Sequence, residues 1–271
     1  MQRYKLTLAY DGSPYVGFQV QPNGPSIQGE LQRALKLMTK GQTINVHGSG
    51  RTDSGVHAYG QVVHFDYPAP IAEEALLRAL NSICDDSICI QKVEAVEDTF
   101  HARYHTSGKR YIYRVEGGPF MSPFKRHYAL HHPYQTDLDR MAQALSYIKG
   151  QHDFESFCST HTDKTNFVRT IYRAEVHPGA APSSYYFLFE GDGFLYNMVR
   201  ILVGTLLQIG DGLKPIEEMP RLLEVRDRNE AGPTAAAHGL YLDEVFYLSA
   251  EDRAQKTAQW LNFKKEADFD A

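Results

Sequence analysis

The residues best suited to chemistry in this chain lie in one short stretch, GSGRTDSGVHA, from residue 48 to residue 58. Gly48, Gly50 and Gly55 bracket Arg51, Thr52, Asp53 and Ser54. The backbone there can adopt positive φ and approach a ligand closely while an arginine and a carboxylate face it. A guanidinium beside a carboxylate lowers its pKa and keeps it ionised. An ionised carboxylate can then serve as general base or as nucleophile. Ordinary turn chemistry accounts for the same residues, because an aspartate before a small residue and glycine bonds its own backbone two residues on.

Other constellations compete with this loop. His152, Asp153 and Cys158 supply the parts of a thiol hydrolase, yet no glycine elbow surrounds the cysteine, and HDFESFC reads better as a packing segment. The pairs His101/His105 and His127/His131 have metal-like spacing, but histidines in aromatic, cationic sequence also stack and hydrogen-bond. Cys84, Cys89 and Cys158 are too few for a disulfide framework and lack the second pair a zinc site needs, so they read as reduced thiols. Between residues 101 and 130, Arg103, Lys109, Arg110, Arg114, Lys125 and Arg126 face only Glu116, with Tyr104, Tyr111, Tyr113, Phe120, Phe124 and Tyr128 interleaved. That mixture suits a surface tracking an RNA backbone and stacking its bases, or a half-buried strand pair with a solvated edge. A net charge of -5 is unlike most nucleic-acid binders, but it averages over all faces.

These residues need elements to position them. At 271 residues, with 42% hydrophobic and 23% charged residues, the chain has the make-up of a soluble globule. It carries no apolar leader pattern and no stretch long enough to span a bilayer, which points to the cytoplasm and to no membrane partner. Residues 3 to 10 alternate as a strand, Ser26 caps a helix, a short strand at 43 to 47 enters the glycine loop, and residues 60 to 67 leave it as another. Glu73 to Leu80 reads as a helix and residues 88 to 96 as a strand. The order β-α-β-β-α-β is that of a ferredoxin-like unit, with the loop as its middle hairpin. The remainder repeats the plan. KRYIYRV puts Tyr111, Tyr113 and Val115 on one face, Asp137 caps a helix, and two strands follow. A helix through NMVRILVGTLLQIG places Arg200 beside Gly204, where backbones can approach, and GLYLDEVFYL closes the second unit. The expected architecture is α+β, with two ferredoxin-like units joined through a mainly antiparallel sheet around a central cleft. The halves are 1–105, carrying the loop, and 106–248. A charged tail over 249–271, helical around Ala254 to Phe263 or partly flexible, reads as a surface appendage.

Six strings, GRTDSGVHA, YDGSPYVGFQVQ, FHARYHTSGKRYIYRV, GQHDFESFC, GDGFLYNMVRILVGTLLQIGDG and AGPTAAAHGLYL, together resemble the bacterial tRNA pseudouridine synthase A family over about nine-tenths of the chain. The resemblance implies an isomerase without cofactor or metal. Such an enzyme breaks the C1′–N1 bond of a uridine at tRNA position 38, 39 or 40, in the anticodon stem-loop, and rejoins the uracil through C5. It implies that Asp53 is the essential aspartate and that Tyr111 packs on the target base. Arg51 and Arg200 would orient or pair with the aspartate and hold the RNA. It implies a homodimer with tRNA lying across both subunits. A non-catalytic RNA-binding module is the alternative, since paired ferredoxin-like units with exposed aromatics are also built for reading RNA. Cys84 and Asp85 stand where the family has a leucine-proline pair, Ala236 stands where it has a proline, and the tail runs past its usual end.

Overall fold

The computed structural model describes residues 1–160 and 165–266. It divides into two compact units, residues 1–106 with 241–247, and residues 107–240 with 248–271.

The first unit starts with β1 (Gln2–Tyr10), whose Tyr4, Leu6, Leu8 and Tyr10 are buried at the two-residue period of a strand with one face on a core. Helix α1 (Ile27–Met38) is capped by the Ser26 hydroxyl, which accepts from the Gly29 amide at 3.1 Å, and buries Ile27, Leu31, Ala34 and Leu35. Then come β2 (His47–Gly48), β3 (His57–Tyr67), α2 (Glu73–Ile83) and β4 (Ile88–Val96). β4, β1, β3 and β2 lie side by side and antiparallel, with Leu6 opposite both Val63 and Val93 and His47 opposite His64. This is the ferredoxin-like order, and the glycine loop is its middle hairpin. Of the strand expected at 43 to 47, only His47 lies in β2, although Ile44 and Val46 are buried.

The second unit holds β5 (Gly108–Glu116), β6 (Leu130–His131), α3 (Leu138–Ser146), β7 (Gly150–Asp153), β8 (Val168–Pro178) and β9 (Ser184–Gly191). β5, β9, β8 and β7 pair antiparallel in that order, and β6 pairs with β5 in parallel. Tyr111, Tyr113 and Val115 oppose Phe189, Phe187 and Tyr185, so the expected face of β5 is matched by a row of rings on β9. HDFESFC packs as expected, with Phe154, Phe157 and Cys158 buried around a 3-10 turn at Glu155–Phe157. Helix α4 (Met198–Gly210) is shorter than its sequence pattern and buried nearly all round, Ile201, Gly204 and Thr205 included. After α5 (Glu218–Val225) the chain enters β10 (Leu240–Phe246), expected to close the second plan. Its Tyr241 and Leu242 pair in parallel with His57 and Ala58 of β3, within the first unit.

Helix α6 (Ala250–Glu266) corrects the reading of the tail as a surface appendage: Arg253 and Thr257 are buried in the second unit. The last five residues of that tail, 267–271, lie outside the described residues. Of the two readings of residues 101–130, Arg110 follows the half-buried strand pair, because it is 1% exposed and contributes no cation to a surface. Phe120 and Phe124 of that segment are exposed.

Rings run outward from the root of the glycine loop. His47 stacks on His64 at 5.0 Å, His64 meets His101 edge-on at 4.6 Å, and His101 stacks on Tyr104 at 4.2 Å. Burial pushes the His64 imidazole down to about 4, helped by positive charge from His101, His47 and Arg3 and opposed by Asp66. Its Nδ1 accepts from the Ala102 amide at 3.2 Å, which fits the neutral ring. Above pH ~6.5 the ring is neutral in folded and unfolded chains alike. As pH falls from about 6.5 toward 4 the unfolded chain binds a proton the folded chain refuses, and stability is lost. Urea unfolding at pH 7.0 and 5.5 is expected to show a loss of about 1 kcal/mol from this group. His64→Asn should remove that part of the difference, and an unchanged difference would contradict a neutral buried His64.

Candidate active site

The glycine loop is held from beneath by buried polar groups. The Ser49 amide donates to Val62 O at 2.8 Å and its hydroxyl to Gln61 Oε1 at 2.7 Å. Gln61 Nε2 donates to Gly50 O at 3.2 Å and to the Tyr10 hydroxyl at 3.4 Å, and Tyr10 shares a 2.8 Å hydrogen bond with the Thr52 hydroxyl. Ser49, Gln61, Tyr10 and Thr52 are all buried. Polar groups so placed cost free energy unless paired, so the network admits few loop conformations. Burial also pushes the Tyr10 phenol up to about 12, so it stays protonated at neutral pH. The turn closes through the backbone, with the Val56 amide donating to Asp53 O at 3.1 Å and Gly55 at a φ of 76°.

A second clamp comes from YDGSPYVGF. The Phe18 amide donates to Thr52 O at 3.0 Å, and the Ser54 hydroxyl donates to Tyr15 O at 3.3 Å. Gly17, at a φ of 119°, lies so close that a Cβ there would sit 2.9 Å from Thr52 O, and a Cβ on Gly12 would sit 2.1 Å from Val56 O. Both positions require glycine, because the two segments approach backbone to backbone. Asp53 is left half-buried and Arg51 exposed, two residues apart on one loop.

In the second unit Tyr111 is buried on β5, its ring meeting Phe194 edge-on at 5.0 Å. Arg200 lies in the first turn of α4, after Asn197 at a left-handed φ of 59°. Its Nε donates to Ala235 O at 2.7 Å and one terminal nitrogen to Asn197 Oδ1 at 2.8 Å, while the Ala235 amide donates to Arg200 O at 3.1 Å. Asn197 Nδ2 in turn donates to the Ser159 hydroxyl at 2.8 Å. Arg200 is therefore a fixed, half-buried cation, not a loose surface charge. Ala236 adjoins this arrangement, and its carbonyl accepts from Tyr113 OH at 2.7 Å. Cys84, the other departure, ends α2, and burial pushes its thiol up to about 11, out of reach of thiolate chemistry at neutral pH.

Sequence reasoning missed Gln61, Tyr10 and Thr52 as loop supports, and Asn197 and Ser159 as partners of Arg200. A glutamine within the apolar run YGQVVHF was the signal for the first group. Among the described residues, no group of three or more His, Cys, Asp or Glu is arranged to hold a metal ion. No helix among them is long and apolar enough to cross a membrane.

The model of a family described as tRNA pseudouridine synthase matches residues 7–105 and 144–248. Among curated proteins, tRNA pseudouridine synthase A of Latilactobacillus sakei is 52% identical over 246 residues, covering 91% of this chain and 99% of the relative. The protein of that name from Lacticaseibacillus casei is 51% identical over 91% of this chain and its own full length. The one from Anoxybacillus flavithermus is 47% identical over 91% of this chain and 99% of its own. The matched residues include the whole clamped loop, Arg200 and its Ala235 partner, and on them the chain belongs to the tRNA pseudouridine synthase family.

Proposed function

We propose that this protein isomerises uridine to pseudouridine in tRNA, at positions 38, 39 and 40 of the anticodon stem-loop, with Asp53 as its essential group. The observation that carries the reading is the clamped glycine loop, which fixes an arginine and a carboxylate on a turn supported by buried polar residues, inside the segment the family match covers. Exchange of an N-glycoside for a C-glycoside consumes no redox equivalent and no water. One carboxylate suffices, attacking the sugar at C1′ or removing a proton at C2′, after which the freed uracil turns and bonds through C5. No cofactor or metal takes part in either route.

The uridine must leave its stack to reach a loop carboxylate, at a cost of a few kcal/mol. Tyr111 offsets part of this by packing on the displaced base, and Arg51, exposed beside Asp53, fills the vacated space or contacts the backbone. Arg200, with its planar head oriented by Ala235 and Asn197, holds RNA in register. The protein acts in the cytoplasm as a homodimer, with tRNA lying across both subunits.

The test is pseudouridine mapping of unmodified tRNA incubated with the protein in a chelator. New pseudouridine confined to positions 38 to 40 is the expected result. Tight tRNA binding with no pseudouridine at any position would leave an RNA-binding module in its place.

A further inference from the structure

We infer that helix α6, which lies beyond the end of the family match at residue 248, is a positioning element for Tyr111, acting through the hydroxyl of Thr257. The inference rests on the base-holding role given above to Tyr111.

Two buried opposite charges face each other across neighbouring strands of the second unit. Arg110 on β5 and Glu190 on β9 are cross-strand partners and are 1% and 3% exposed. Helix α6 supplies bonds to both. The Thr257 hydroxyl donates to Glu190 Oε2 at 2.6 Å and accepts from an Arg110 terminal nitrogen at 3.1 Å, so one oxygen joins the two strands. Arg253, one turn earlier on the helix, donates through Nε to Glu190 Oε1 at 3.1 Å and through a terminal nitrogen to Ser107 O at 3.0 Å. Both carboxylate oxygens of Glu190 are thus engaged by the helix. The guanidinium of Arg253 lies 3.9 Å from the centre of the Tyr172 ring on β8, and that of Arg110 lies 4.6 Å from the centre of the Trp260 ring.

The place these bonds meet gives them their consequence. Tyr111 follows Arg110 on β5, and strand alternation turns its ring to the opposite face. Glu190 is the penultimate residue of β9, after which the chain turns through Gly191 and Gly193 to Phe194, the ring that meets Tyr111 edge-on. Helix α6 therefore pins both strand ends from which Tyr111 and its supporting ring project. A buried carboxylate that loses a partner drives local rearrangement, because its desolvation is no longer compensated. Here that rearrangement would begin one residue from Tyr111.

The test is a double-variant cycle read by single-turnover release of tritium from C5-labelled uridine in tRNA, at a temperature where circular dichroism shows every variant folded. Thr257→Val keeps the shape of the side chain and removes its hydroxyl, and Thr257→Ser restores it. Expected is a loss of about 10-fold for Thr257→Val, recovery to within about 2-fold for Thr257→Ser, and a loss of less than about 2-fold for Thr257→Val in the Tyr111→Leu background. Should the double variant turn over too slowly to time, the same cycle is read from the fluorescence of 2-aminopurine placed beside the target uridine. A purely structural helix would give the same factor in both backgrounds, and that result, or an undiminished rate in Thr257→Val alone, overturns the inference. Full activity in Tyr111→Leu alone would instead remove the base-holding role, and the inference with it.

Discussion

Asp53→Asn is expected to fold, to bind tRNA within about 3-fold of the parent, and to release tritium from C5-labelled uridine at least about 10⁴-fold more slowly. The substitution is nearly isosteric. The loop supports described above are the Ser49, Gln61, Tyr10 and Thr52 side chains and the backbone bond from Val56 to Asp53 O. None depends on the charge of residue 53, so binding and fold should survive while an amide replaces the only group proposed to attack or deprotonate the sugar. An amide is neither nucleophile nor base at neutral pH. Persistent turnover in this variant would remove Asp53 from the centre of the mechanism, and loss of tRNA binding in step with turnover would make it a binding residue.

Gly204→Ala should be the most damaging small substitution in the second unit. A Cβ at this position would lie 1.8 Å from Pro233 O and 2.9 Å from Pro233 C, and one on Gly232 would lie 2.7 Å from the backbone of Thr205. Helix α4 and the 232–235 segment therefore meet backbone to backbone, with no flexible side chain to yield. A methyl group must force the two apart, at a cost of at least about 3 kcal/mol. For a chain of this size the melting temperature should fall by on the order of 10 °C. Arg200, one turn away, is bonded to Ala235 through both its side chain and its carbonyl, so the displaced segment should also lower activity in the cold, where the variant is still folded. A melting temperature within about 2 °C of the parent would contradict this close approach.

The parts of this fold that were legible in the sequence are those whose signals are local. The glycine loop announced itself because its turn residues and its charges occupy neighbouring positions. The strands of the first unit followed from two-residue alternation, and α1 from a serine cap and a regular apolar stripe. What escaped detection depends on distant partners or breaks the rule that buried means apolar. The loop supports Tyr10 and Gln61 lie 51 residues apart in sequence. Helix α6 shows no apolar stripe because its buried side sets Arg253 and Thr257 beside Leu261. For Arg110 the sequence left a surface and a half-buried strand both open, and the Glu190 opposite and the helix above it, distant in sequence, account for its burial. Strands β6 and β7 span two and four residues, too short for any periodicity to register.

The parallel pairing of β10 with β3 governs when, as well as how, the protein is completed. Tyr241 stacks on both His57 and Tyr59, yet it is added to the nascent chain more than 170 residues after β3 ends. At about 5–20 residues per second, synthesis of that interval takes roughly 10–35 s. Until then the outgoing strand of the Asp53 loop lacks one of its neighbours. Completion of the first unit thus waits on a strand made long after the rest of its sequence.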